Sequence, residues 1–157
     1  MQKITPFLWF DTEAEEAAKL YTSVFKNSKI VSTTRYGDAG PGPKGSVMTV
    51  AFNLDGNDFV ALNGGPQFDF TPAVSFQIDC QTQEEVDWFW DKLSAGGKPG
   101  RCGWLEDRFG VSWQVVPRAL RELLQASDAK KAKRVMEAML QMDKLEIKKL
   151  QDAYERG

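Results

Sequence analysis

The chain has no histidine among its 157 residues. That absence removes the commonest general base of enzyme active sites and the commonest metal ligand. Serine–histidine and cysteine–histidine nucleophile pairs are excluded with it. Cysteine is scarce, with two residues, Cys80 and Cys102. Two thiols do not make a disulfide framework, their spacing fits no zinc motif, and they read as small buried side chains. No apolar run is long enough to span a bilayer. Met1-Gln2-Lys3-Ile4-Thr5-Pro6 lacks the apolar stretch of a signal peptide, so a cytoplasmic location is the expectation. A net charge of −2 offers no electrostatic footprint for nucleic acid or for an anionic membrane.

What is present is 42% hydrophobic residues in a length suited to one ordinary domain with a real core. Ile4 to Phe10 reads as a strand. Thr12-Glu13-Ala14-Glu15 fits a capping box, and Ala17, Leu20, Tyr21 and Val24 then form one helix face. A strand follows around Ile30 to Tyr36. The glycine- and proline-rich stretch from Gly37 to Gly45 is a long loop. Val47 to Leu54 and Phe59 to Leu62 read as strands joined by a turn at Asp55-Gly56.

The order then recurs. Val74 to Asp79 is strand-like, Thr82-Gln83-Glu84-Glu85 is a second capping box, and Val86, Phe89, Trp90 and Leu93 form a helix face. Cys102 to Glu106 and Val111 to Val116 form a hairpin. Phe7 aligns with Phe76 at an offset of 69, and the two helix faces keep that offset, while the capping boxes fall one residue out of step. Strand, cap, helix, hairpin and closing proline in one order point to an internal repeat. The expected organisation is a paired domain over 1–117, with module one at 1–66 and module two at 73–117. A helical extension occupies 118–157, with apolar faces at Leu120, Leu123 and Leu124, at Val135, Met136, Met139 and Leu140, and at Ile147, Leu150 and Tyr154.

The runs Thr5-Pro6-Phe7-Leu8-Trp9-Phe10, Ala61-Leu62-Asn63-Gly64-Gly65-Pro66, Cys102-Gly103-Trp104-Leu105 and Phe109 to Pro117 resemble the PhnB-like group of the vicinal oxygen chelate (glyoxalase/bleomycin resistance) superfamily, as does the tail from Arg134 to Lys144. The resemblance implies an α+β fold of two βαβββ modules, each a curved sheet with its helix on the convex side, enclosing a cavity. It implies a homodimer, and in many members a divalent metal held by histidine and glutamate.

Carried onto this chain, the metal positions fall on Leu8 and Gln77 in the first strands and on Asn63 and Gln114 in the last. Leucine cannot coordinate, and neutral amides hold transition metals poorly. No tight metal or other cofactor is therefore expected; a weak Mg²⁺ or Ca²⁺ site recruiting Asp79 stays open. Ser75, Gln77 and Asp79 share one face of a strand, and Ser112 and Gln114 one face of another, as a polar lining suited to a small organic ligand. Trp9 and Trp113 are assigned to the helix-packed side, and Trp104 borders either.

The group is often labelled a demethylubiquinone methyltransferase, but no strand–glycine loop–helix unit for an adenosyl nucleotide is present. Two functions follow as expectations: a metal-independent binder of a small molecule, or a divergent lyase, transferase or dioxygenase, metal-dependent or using Asp79 or Tyr36. Neither nucleic acid nor membrane is expected as a partner.

Overall fold

A computed structural model describes residues 2–156. They form two compact units that divide between residues 70 and 71, each built on a four-stranded sheet.

Unit one runs β1 (Phe7–Phe10), α1 (Ala14–Val24), β2 (Ser28–Arg35), β3 (Val47–Leu54) and β4 (Asn57–Asn63), with the strands ordered β1-β4-β3-β2. β1 lies parallel to β4 and the other pairs are antiparallel. Asp55 and Gly56 both have positive φ, which makes the β3–β4 connection a two-residue hairpin whose twist matches its strands. The long loop from Gly37 passes over the buried ring of Tyr36 so closely that a side chain at Gly42 would enter the ring.

Unit two runs β5 (Ser75–Cys80), α2 (Gln83–Ser94), β6 (Lys98–Pro99), β7 (Trp104–Glu106) and β8 (Ser112–Pro117), ordered β5-β8-β7-β6. This repeats the order and the strand directions of unit one. The short edge strand β6 has no counterpart among the sequence expectations; its proline sits where no ladder donor is needed.

Three helices follow, α3 (Arg118–Leu124), α4 (Ala129–Met139) and α5 (Ile147–Glu155), around a core of Leu120, Val135, Met142, Leu145 and Leu150. They are fastened to the sheet unit. Cys102 and Gly103 donate backbone N–H groups to the carbonyls of Met142 and Asp143, each at 2.8 Å. Gln83, the first residue of α2, donates to the Leu145 carbonyl at 3.1 Å and accepts from Ile147 N–H at 2.7 Å. One side chain thus satisfies an otherwise orphaned donor at the start of α5.

The two helix starts differ. Thr82 caps α2 as expected, its hydroxyl accepting from Glu85 N–H at 3.2 Å. Thr12 does not cap α1: the cap position is Glu13, which makes no side-chain capping bond. The acceptor comes instead from β4, where Asn63 Oδ1 takes the Ala14 N–H at 2.8 Å.

The connections differ too, three residues between β1 and α1 and two between β5 and α2. Buried helix residues keep the offset of 69, with Ala17 on Val86, Tyr21 on Trp90 and Val24 on Leu93. Buried strand residues take an offset of 70, with Leu8 on Ile78 and Phe10 on Cys80. The extra residue lies in the connection and explains the step between the capping boxes.

Candidate functional site: the open face of the second sheet

Each sheet has one face under its helix and one face away from it. In unit one, Tyr21 of α1 packs against Phe52 with ring centroids 6.1 Å apart, which marks the helix side. Val50 lies two residues from Phe52 on that side, and the register runs from Val50 through Ala61 to Leu8. Leu8 is therefore a core residue, 5% exposed, and not part of an open lining.

Asn63 shares the same side, two residues beyond Ala61. Its Oδ1 is taken by Ala14 N–H, and its Nδ2 donates to the Val47 carbonyl at 3.2 Å. Both positions depart from the expected placement, because β1 is apolar throughout and carries no alternation to orient it. The residues on its other face are Phe7, 61% exposed, and Trp9, whose indole N–H donates to the Gly65 carbonyl at 2.9 Å. Trp9 was expected on the helix side and lies opposite it, its ring edge-on to Phe68.

In unit two the expected faces hold. Ile78, Cys80, Leu105, Trp113 and Val115 are buried on the α2 side. The other face carries two rows of residues that the register aligns across the strands. One row is Lys98, Glu106, Ser112 and Ser75; the next is Trp104, Gln114 and Gln77. Gln114 Nε2 donates to Ser75 Oγ at 2.9 Å, while Gln77 stands exposed. Asp79, at the end of the face, is held by Arg118 and Arg121 of α3, each at 3.4 Å. Ser112 is 2% exposed, and its hydroxyl has no hydrogen-bond partner.

Beside Ser112 lies a cleft of about 300 Å³ lined by Pro72, Lys98, Pro99, Trp104, Glu106 and Ser112, among others. Its β6 wall needs two glycines. A side chain at Gly97 would collide with the Glu106 carbonyl, and a Cβ at Gly100 would sit 2.8 Å from that of Trp104. Lys98 and Glu106 escaped the sequence reading; the only signal was that pair of glycines around Lys98-Pro99.

The hairpin behind the face is organised by Asp107, 3% exposed. Its carboxylate accepts from Phe109 N–H at 2.9 Å, Val111 N–H at 3.1 Å and the Trp113 indole N–H at 2.9 Å. These are structural bonds, charge-assisted, and two of the three donors are buried.

The donor set does not suit a tightly held metal. Leu8 is in the core, Asn63 and Gln114 are engaged in hydrogen bonds, and among the described residues no three His, Cys, Asp or Glu side chains come together. Tyr36 and Asp79, the alternative catalytic groups, are also engaged: the buried Tyr36 hydroxyl donates to the Asn63 carbonyl, and the Asp79 carboxylate accepts from Arg118 and Arg121. Burial pushes the Cys80 thiol up to about 12, helped by the charges of Glu85 and Asp79. Cys102 is half-buried.

Each unit repeats one β-α-β-β-β order around a four-stranded sheet, a mixed α+β architecture. The family pattern described as 3-demethylubiquinone-9 3-methyltransferase matches residues 2–116, and the chain belongs to that family. A Bacillus cereus PhnB protein of known structure is 42% identical, with 74% of this chain and 99% of that one covered and a TM-score of 0.67. Protein PA1353 from Pseudomonas aeruginosa shares the fold at 20% identity, 74% and 98% coverage and a TM-score of 0.63. A glyoxalase/bleomycin resistance protein from Albidiferax ferrireducens T118 matches at 13% identity, 74% and 99% coverage and a TM-score of 0.49. No curated protein matches the chain. The family match ends before α3, so the helical tail lies outside it. Among the described residues no helix is long and apolar enough to cross a membrane.

Proposed function

We propose that this PhnB-like protein binds a small organic molecule on the open face of its second sheet and works without a tightly held transition metal. The observation that carries this reading is the set of polar side chains in two neighbouring rows on that face, Ser75 with Ser112 and Gln77 with Gln114, on the side of the sheet away from α2. Such groups are costly to enclose unless a ligand or water pairs them. Amides and hydroxyls orient a ligand by hydrogen bonds and supply no nucleophile activated by a base. Methyl transfer, which the family's description names, is not part of the reading. The glycine-rich loop joins two strands, β2 and β3, and opens no helix whose N-terminus would cradle a nucleotide phosphate or adenosyl group.

Amide-resolved NMR titration of the full chain against a library of small metabolites tests the proposal. Shifts clustered at Ser75, Gln77, Ser112 and Gln114 with no turnover of the bound compound are the expected result. A stoichiometric transition metal that survives chelation and is needed for binding overturns it. The homodimer implied by the resemblance is part of the same proposal and is measured by sedimentation equilibrium.

A further inference from the structure

The cleft in unit two contains more chemistry than a generic polar lining. Three of its residues lie in one row across β6, β7 and β8: Lys98 opposite Glu106, and Glu106 opposite Ser112. Adjacent strands are about 4.8 Å apart, so a cation, an anion and a hydroxyl succeed one another at roughly that spacing. The Lys98 ammonium and the Glu106 carboxylate form no ion pair, with each other or with another described residue. The Ser112 hydroxyl is buried at the same wall and unpartnered. On the next row Trp104 adds an aromatic side chain to the lining, which Pro72 and Pro99 also share. The volume, about 300 Å³, is at the small end of ligand sites.

The geometry points to a small zwitterion as the occupant, one that carries an ammonium and a carboxylate beside a flat apolar group; this rests on the small-ligand function proposed above. The ammonium lies over Glu106 and takes Ser112 Oγ as its second acceptor. The carboxylate reaches Lys98, and the apolar group lies against Trp104. The alternatives each leave something unpaired. A neutral apolar ligand would desolvate two charges and a hydroxyl without compensation. A simple acid would satisfy Lys98 and place its own charge beside Glu106; a simple amine does the reverse with Lys98. Discrimination therefore comes as much from these mismatches as from the favourable contacts.

Calorimetric titration of the full chain with three matched probes tests the inference: L-phenylalanine, phenethylamine, which lacks the carboxylate, and 3-phenylpropionate, which lacks the ammonium. L-Phenylalanine is expected to bind about tenfold or more tightly than either relative. Lys98→Gln should weaken L-phenylalanine and tighten phenethylamine, which no longer meets a like charge, so that the gap between the two closes. Glu106→Gln should likewise weaken L-phenylalanine and tighten 3-phenylpropionate. Both side chains are at the surface of an edge hairpin, so both variants should fold. Equal binding of the three probes, or L-phenylalanine binding that neither variant alters, overturns the zwitterion. If L-phenylalanine fails while indole shifts the Ser112 and Gln114 amide resonances, the zwitterion falls and the small-ligand function stands. If no probe shifts them, both fall.

Discussion

Asn63 Oδ1 accepts the backbone N–H of Ala14 at 2.8 Å, so the last residue of β4 caps a helix that begins 49 positions earlier. The same residue donates to Val47 and receives the Tyr36 hydroxyl on its carbonyl. Asn63→Ala should destabilise the chain by about 1–2 kcal/mol, the usual value of a lost helix cap. Asn63→Asp keeps the acceptor and should lose less. Urea denaturation gives both values, and amide exchange should localise the loss to the first turn of α1.

Asp107 satisfies three donors of the hairpin, two of them buried, with one carboxylate. Asp107→Ala should cost on the order of 3 kcal/mol or more, because each orphaned donor carries its own desolvation penalty. Thermal unfolding checks this. A loss below about 1 kcal/mol would mean that water replaces the carboxylate in the hairpin.

Asp87 and Lys144 form a pH-dependent clasp between α2 and the tail, 2.9 Å apart. The Gln83 side chain, followed by Lys144, holds the Asp87 carboxyl below its ordinary value, and Asp87 raises Lys144 above its own. A lowered acid stabilises the fold above its unfolded value and loses that contribution as pH falls through the folded one. A raised lysine stabilises below its unfolded value and loses the contribution as pH rises through the folded one. The clasp therefore acts between about pH 4 and pH 10. Both groups are near the surface, so its contribution is at most about 1 kcal/mol. Asp87→Asn should lower stability at pH 7, and the difference from the parent should be smaller at pH 3. Denaturation curves at the two pH values measure this.

The two thiols should separate in reactivity. Cys80 is buried and its thiol is pushed up to about 12, so it stays protonated near neutral pH. Ellman's reagent should titrate only Cys102 in native protein at pH 8 and both thiols in urea. Labelling of Cys80 in the native state would show that unit two opens readily at β5.

Much of the fold was legible because it rests on local patterns. Helix faces repeat at 3.6 residues, Thr82 and Asp128 stand where caps belong, and Asp55-Gly56 has the chemistry of a tight hairpin. What stayed hidden needs partners distant in sequence or contrast that the sequence lacks. The residues Phe7-Leu8-Trp9-Phe10 are all apolar, so nothing in them distinguishes the face that packs on α1 from the other. The capping role of Asn63 cannot be read from the residues around Ala14. β6 is two residues long and its pairing depends on glycines that admit a neighbouring backbone. In the site, β5 and β8 alternate polar with apolar residues, which is what lets their two faces be told apart in the sequence. Lys98 and Glu106 join it only through register.

The extra residue between β1 and α1 also bears on how the two halves should be compared. Inserted in a strand, one residue would turn every later side chain to the opposite face. In the connection it is absorbed as coil, and both sheet and helix keep their packed sides. An ungapped alignment that follows the helices will therefore always equate a core leucine, Leu8, with a solvent-facing glutamine, Gln77. A single gap after Phe10 restores the correspondence from first strand through helix, and Leu8 then falls on Ile78 rather than on Gln77.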